Sequence, residues 1–277
     1  MALQFRTSDH DHSDVFLILR DWLQDESTVS SEDIAGNIDS YHGKAFEEEK
    51  QIPKEEKEDV ELDPDGCYGP LWEIWIAFIV IVEQIPHDHS AQNKLVDVIK
   101  GLKILAGRKV ELEGAELQLW KDLPIFDTCI HDYYQPPLNT SKPVPPDETQ
   151  KWRNVTSFVA RCWQAGFFNA SPQALYLFRA ILEQPVTDTA ALEQALPIIS
   201  EWILHSGAAL YQSIDSAGRQ EGSQEQSASS LYTGPNKLCV ERWQFWRSRF
   251  EEIAGQLQGI SKKIALDCAS EMGRISN

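Results

Sequence analysis

The sequence predicts an all-α protein of 277 residues, a large multi-helix bundle built either as one domain over 1–277 or as two packed halves, 1–135 and 147–277. Three observations predict it. Apolar residues recur at three- and four-residue spacing through most of the chain, no alternating apolar run demands a strand, and proline and glycine punctuate the helical stretches. Nine Trp, eleven Phe and seven Tyr within a 42% apolar composition supply ample surface for a core.

The first helix is expected over Asp14–Asp25, with Ser13 in capping position and Val15, Leu19 and Trp22 on one face. A second runs from Glu32 to Phe46, carrying Ile34, Ile38 and Tyr41 on one side. Acidic residues crowd 47–65 with only Lys50, Lys54 and Lys57 against them, so 47–66 reads as an acidic loop. Gly69-Pro70 then opens a third helix, Leu71–Ile85, apolar around nearly its whole circumference and therefore central to a core. Pro86 stops it, and Asp88 or His89 caps a fourth helix whose stripe is Leu95, Val98, Ile99, Leu102 and Leu105. Helices three and four are expected to form a hairpin.

A short helix is expected near Glu113–Trp120, and the prolines of 136–146 mark the boundary between halves. Further helices are expected at 148–166, 172–183, 189–215 with a bend near Pro197, and from Pro235 to the C-terminus with a break near Gly259. Ser216–Ser230 contains no aliphatic side chain larger than alanine, so nothing offsets the entropy of ordering it, and it reads as a flexible loop.

The net charge of −18 repels phosphate backbones and anionic headgroups, which disfavours nucleic-acid and membrane partners. The most apolar run, Leu71–Val82, is shorter than the ~20 residues a bilayer requires. The start has no basic segment followed by an apolar one, and the five cysteines lack paired spacing. Both point to a cytoplasmic protein with reduced thiols. No phosphate loop, nucleophile elbow, kinase set or dinucleotide fingerprint occurs, and no cofactor is expected. The oligomeric state is left open.

Five stretches stand out: LWEIWIAFIVIVEQIPHDHSAQNKLVDVIKGL at 71–102, WKDLPIF at 120–126, WRNVTSFVAR at 152–161, EWILHSGAALY at 201–211 and ERWQFWRSRF at 241–250. In this order they resemble a fungal family of helical proteins known by a domain-of-unknown-function label. The resemblance implies an all-helical fold, filamentous fungi as source, and members lying near secondary-metabolite genes. It implies no defined reaction and no catalytic residues.

Several constellations could carry chemistry. His87 and His89, echoed by His10-Asp11-His12, are candidate metal ligands, although H-x-H does not share a helix face as i,i+4 histidines do. The alternative is a capped helix start. Over 152–166 a polar stripe, Asn154, Ser157, Arg161 and Gln164, runs beside an apolar one that includes Trp152 and Trp163. It faces either bulk solvent or a cavity in which Arg161 and Asn154 orient a ligand's carbonyl or carboxylate, unless Arg161 pairs with Glu83. His205, beside Trp202 and Tyr211, is either a structural histidine or a general acid or base. Trp243 and Trp246, with interleaved arginines, either stack on a planar ligand or form core, with Leu238, Phe245, Ile253, Leu257, Ile260 and Ile264 at helical spacing.

Three readings of function follow. One is a cofactor-independent helical protein that binds a hydrophobic small molecule in a cavity lined by Trp75, Trp152, Trp163, Trp202, Tyr211, Trp243 and Trp246. It would act by holding a reactive conformer, as a cyclase, isomerase or Diels–Alder-type pericyclase does, with His205, Arg161 and Glu83 as catalytic candidates. The second is a non-catalytic interaction or regulatory protein using a helical groove or the acidic segment. The third is a metal-dependent enzyme built on His87 and His89.

Overall fold

In the computed structural model, residues 3–6, 13–24, 28–52, 63–136, 144–216 and 230–277 are described. The fold is all-α: 68% of the described residues are helical, in ten helices, with one two-stranded sheet among them. The chain forms two compact units, Met1–Gln135 and Pro136–Asn277.

The first unit holds α1 (Asp14–Gln24), α2 (Ser31–Glu49), α3 (Tyr68–Glu83), α4 (Ala91–Ile104), β1 (Lys109–Leu112), β2 (Ala115–Gln118) and α5 (Phe126–Tyr133). Helix α2 starts on a reciprocal cap, in which Ser30 Oγ accepts from the Asp33 N–H while Asp33 Oδ2 accepts from the Ser30 N–H, each at 3.1 Å. Glu47–Glu49, expected in a loop, complete the last turn of α2. At the far end of the acidic segment, Asp63 accepts from the Cys67 and Tyr68 N–H groups and so caps α3. The middle of that segment, 53–62, lies outside the described residues.

Helix α3 is the core of this unit, with Leu71, Ile74, Trp75, Phe78, Ile81 and Val82 essentially without exposure. It packs on α1 and α5, while α4 packs chiefly on α2. The expected α3–α4 hairpin is therefore replaced by α1–α3 and α2–α4 pairs. Gly101 makes the α2 contact possible, because a Cβ there would stand 3.0 Å from Ala35. Leu105, expected on the buried stripe, is instead the extended cap residue and is partly exposed.

The short helix expected near 113–120 is a β-hairpin, with Val110 opposite Leu117 and Leu112 opposite Ala115. Its turn has both central residues left-handed, Glu113 at φ 51° and Gly114 at φ 75°, the conformation that matches strand twist in a two-residue loop. Two more non-glycine residues with positive φ, Leu123 (49°) and Ile125 (55°), flank Pro124. The Pro124 carbonyl accepts from Trp75 Nε1 at 2.9 Å, and Leu123, Ile125 and Phe126 are buried, so packing and one hydrogen bond hold a costly backbone.

His42 of α2 is fully buried, with its ring 5.8 Å from that of Phe46 and 5.4 Å from that of Trp120, and neither ring nitrogen has a hydrogen-bond partner among the described residues. One turn earlier, Asp39 accepts from Trp120 Nε1 at 2.6 Å and from Arg108 at 3.2 Å. Burial, and secondarily Arg108, push the His42 imidazole down from 6.5 to about 4, with Asp39 opposing.

The second unit holds α6 (Pro146–Gln164), α7 (Ser171–Leu182), α8 (Thr189–Ser216), α9 (Val240–Gln256) and α10 (Gly259–Ile275). Helix α8 is its hub, packing on α6, α7 and α10. The bend expected near Pro197 falls instead at Ser206, whose φ of −136° and ψ of 17° leave the helical region. Ser206 Oγ donates to the Trp202 carbonyl at 2.9 Å, the local bond that bends helices. Next to it Gly207 lies so close to α10 that a Cβ would be 2.7 Å from Ile275 Cδ1. Gly259, with φ 57°, separates α9 from α10 as expected.

Each unit uses a glutamine amide to grip an extended segment. Gln84 accepts from the Arg6 N–H and donates to its carbonyl, and Gln194 does the same to Val144 just before α6. The rest of the proline run, 137–143, and of the polar loop, 217–229, lies outside the described residues.

Candidate functional site

The α6 sequence places Arg153, Asn154, Ser157 and Arg161 along one side, at spacings of one, four and eight residues, and α8 places Glu201 and His205 one turn apart. Because α6 packs on α8, these stripes meet. The α6 polar stripe does not face bulk water: Ser157 has no exposure and Asn154 only 3%. Buried polar groups need partners, and these have them. Gln150 Nε2 donates to Asn154 Oδ1 at 2.7 Å, and Arg161 Nε donates to Ser157 Oγ at 3.3 Å.

At the centre is Glu201, 1% exposed. Its Oε1 accepts from Arg153 Nε at 2.8 Å, and its Oε2 stands 3.1 Å from His205 Nε2. Arg161 Nη2 lies 3.1 Å from the same imidazole nitrogen. One guanidinium and an imidazole thus meet the buried carboxylate, and a second guanidinium meets the imidazole. Burial holds the Arg161 guanidinium below its ordinary value while Glu201 pulls it back up. From α10, Cys268 lies in the field of Glu201 and Arg153, and burial keeps its thiol protonated. The cluster opens outward on His205, whose side chain is 23% exposed, and on the partly exposed Arg161.

The position of His205 Nε2 has a chemical consequence. A guanidinium can only donate and a carboxylate can only accept, so one ring nitrogen cannot bond both at once. With a lone pair Nε2 accepts from Arg161; with a proton it donates to Glu201. The Ser206 kink follows immediately in the chain.

Of the other candidates in this unit, Trp163 and Trp202 meet edge-on at 6.0 Å, and Tyr211 meets Trp243 at 5.1 Å. Trp152 and Trp163 keep 6% and 7% exposure, whereas Trp202, Trp243 and Trp246 have none. Trp243 Nε1 donates to the Met272 carbonyl and Trp246 Nε1 to Glu183 Oε1. The expected α9 stripe also shifts. Phe245 is partly exposed and Ile260 70% exposed, and the inward face is Arg242, Trp243, Trp246, Arg249, Phe250 and Ile253. Arginine can lie on that face because Glu183 and the carbonyls closing α7 receive it. Arg242 Nε is 2.9 Å from Glu183, and Arg249 donates to the Leu182 and Gln184 carbonyls.

Trp75 and Glu83 belong to the first unit. Trp75 has no exposure and packs 4.8 Å from Phe126 and 6.2 Å from Trp120. The N-cap of α4 is Ser90, one residue beyond the expected Asp88 or His89, and His89 Nδ1 accepts from the Ala91 N–H at 3.1 Å in the first turn. His87 sits in the turn before it, and His10-Asp11-His12 lies outside the described residues. Among the described residues no group of three or more His, Cys, Asp or Glu could hold a metal ion, and no helix is long and apolar enough to cross a membrane.

Sequence reasoning missed Glu201, Arg153 and Glu183. The available signal was the Glu201–His205 spacing of four, which puts a carboxylate and an imidazole on one helical face. No curated protein and no solved structure matches the chain. The model of one family matches residues 75–250, from Trp75 of α3 through Phe250 of the buried α9 face, so the chain belongs to that family, described as protein of unknown function (DUF3632).

Proposed function

We propose that the protein binds a small organic molecule without a cofactor, at the Arg161–His205–Glu201 cluster, and acts on it as a cyclase or isomerase of fungal secondary metabolism. One observation carries the reading: a partly exposed arginine and histidine in mutual contact stand over a buried carboxylate that is itself fixed by a second arginine. Arg161 supplies paired donors for a carbonyl or carboxylate oxygen. His205, with Glu201 Oε2 3.1 Å from its Nε2, supplies a group for general acid–base chemistry, an effect worth about 10²–10⁴-fold in rate when the geometry is productive. Trp163, on the same helix as Arg161 and 7% exposed, offers an apolar edge for the rest of the ligand. Orientation by such a frame accelerates intramolecular ring closure with no metal or nucleotide.

The test compares metabolite profiles of the producing organism carrying the intact gene, a deletion, and the deletion complemented with His205→Gln or Arg161→Met. A metabolite lost in the deletion and not restored by either variant supports the reading. An unchanged profile, or full restoration by both variants, sinks it and favours a non-catalytic interaction protein.

A further inference from the structure

We infer that Asp39 and His42 form a proton-operated latch on the arm 108–120 of the first unit: protonation of the imidazole draws the Asp39 carboxylate away from Arg108 and Trp120, and the arm lifts while α3 stays folded. The inference stands on how the arm is fastened. Arg108 and Trp120 flank the β1–β2 hairpin, and both donate to a single atom of α2, Asp39 Oδ1, at 3.2 and 2.6 Å. The two flanks also meet each other, because the Leu119 N–H donates to the Arg108 carbonyl at 2.9 Å. Gly43 makes room for the fastening, since a Cβ there would stand 3.3 Å from Arg108 Nη2. Val110, Leu112, Leu119 and Trp120 are buried, which keeps the arm down while the clasp is closed. Past Trp120 the chain is fixed again at Pro124, whose carbonyl accepts from Trp75 Nε1 at 2.9 Å, so the arm ends where its hold on α3 begins.

His42 lies three residues after Asp39, on the same face of α2. Its ring packs between those of Trp120 and Phe46, and neither nitrogen finds a hydrogen-bond partner among the described residues. A neutral imidazole tolerates such a place. A buried imidazolium, with a charge and two N–H donors, does not. The nearest carboxylate along α2 is that of Asp39, and drawing it in deprives the indole and the guanidinium of their shared acceptor. Once the clasp is open, Trp120 withdraws from between the rings of His42 and Trp75, and water reaches the cation.

The charges around the imidazole set the direction. Burial, and then Arg108, hold its affinity for a proton down at about 4 in the closed state, with Asp39 opposing. Lys50, at the end of α2, lies over the Phe46 ring, 4.1 Å from its centroid. On the elements packed against α2, Glu73 of α3 accepts from Tyr41, and Arg20 of α1 pairs with Asp21. In α4, Lys100 pairs with Asp97, Lys94 lies over the Trp22 ring and Lys103 donates to the Lys121 carbonyl. In the hairpin Lys109 pairs with Glu116. A closed state that resists the proton and an open state that takes it near 6.5 make the latch tight above neutrality and looser as pH falls toward 4.

The test is native-state hydrogen exchange on the full chain, read by proton–nitrogen NMR from about pH 7 to 4 at several low urea concentrations, with rates converted to protection factors. The amides from Val110 to Trp120 and the Trp120 indole should lose protection about tenfold per pH unit below 6.5, with little urea dependence, the sign of a local opening. The α3 amides and the Trp75 indole should stay better protected and urea-dependent. In His42→Phe, which keeps a ring in place, protection of the arm should no longer vary with pH. In Asp39→Asn, whose amide still accepts from Trp120 but carries no charge to attract an imidazolium, the loss should begin at lower pH. If the native arm and α3 share one protection and one urea dependence at every pH, the arm opens only by global unfolding and the latch is overturned, with no variant needed. An acid-sensitive arm in His42→Phe overturns the role of the histidine, and an unchanged onset in Asp39→Asn overturns the transfer of Asp39.

Discussion

Glu183 and Arg242 meet 2.9 Å apart with 1% and 0% of their side chains open to solvent, joining the end of α7 to the first turn of α9. The same carboxylate accepts from Trp246 Nε1 at 2.9 Å, and the Glu183 carbonyl accepts from the Leu231 N–H at 2.7 Å. On the other side, Arg242 lies over the Tyr232 ring, 4.5 Å from its centroid. An ion pair so deeply desolvated contributes little net stability when intact, but a lone member of it is expensive. Glu183→Gln should therefore destabilise the second unit by about 3–5 kcal/mol, read by urea denaturation with tryptophan fluorescence. The double replacement Glu183→Leu with Arg242→Met should cost much less than the sum of the single changes. Additive costs would show that the two residues act independently.

His42 makes the first unit acid-sensitive. Its imidazole is held at about 4 in the folded chain against 6.5 when free, so between those values the unfolded chain binds the extra proton and folding becomes less favourable as pH falls. The loss should begin below about 6.5, reach roughly 3 kcal/mol near pH 4, and be absent above neutrality. In His42→Phe, which keeps the ring between Phe46 and Trp120, that part of the pH dependence should disappear. Equal slopes in the two proteins would rule the histidine out.

All five cysteines are buried, and burial raises the Cys67 and Cys129 thiols to about 12. Thiolates being the reactive form, the native protein should be inert to an aromatic disulfide reagent at neutral pH and should release its full cysteine complement in denaturant. Rapid native labelling of Cys67 or Cys129 would contradict their placement.

Gly207 and Ile275 should behave as a coupled pair. Gly207→Ala forces its new methyl against Ile275 Cδ1 and should cost about 1–3 kcal/mol. Ile275→Val removes that atom, so the double variant should recover most of the loss. The measurement is a double-mutant cycle from thermal or urea unfolding.

The hairpin turn invites a stabilising change. Glu113 occupies a left-handed position without the side chain suited to it, and Glu113→Asn should raise stability by about 0.5–1 kcal/mol. Gly114→Ala, at φ 75°, should lower it by a similar amount or more. A thermal melt distinguishes the two signs.

Helical periodicity made most of the fold legible, because residues such as Leu71, Trp75 and Phe78 must go inside wherever α3 is placed. What escaped was set by contacts between distant segments. The 109–118 hairpin carries only Val110 and Leu112 on its buried side of β1, too short an alternation to outweigh the helix-forming residues around Glu113 and Leu117. The α8 break lies at Ser206 because a side-chain bond and the approach of α10 decide it, and neither is visible in local sequence. In the candidate site, His205 and Arg161 could be singled out by type and neighbours. Glu201 could not, since a carboxylate goes inside only where partners such as Arg153, 48 residues away, await it. The α6 stripe was ambiguous for the same reason: asparagine and serine read as exposed until Gln150 and Arg161 are seen to bond them.

The grip of Gln194 on Val144 fixes where the second unit can be severed from the first. A fragment starting at Pro146 would begin neatly on a helix yet strip Gln194 of both its donor and its acceptor, leaving a half-covered amide on the hub helix to be solvated at the expense of the α6 approach. A fragment cut a few residues earlier, ahead of Val144, would carry its own fastening. Recombinant work on the isolated second unit should therefore choose the seemingly untidy boundary, since two hydrogen bonds outside any helix decide whether α6 arrives tethered or loose.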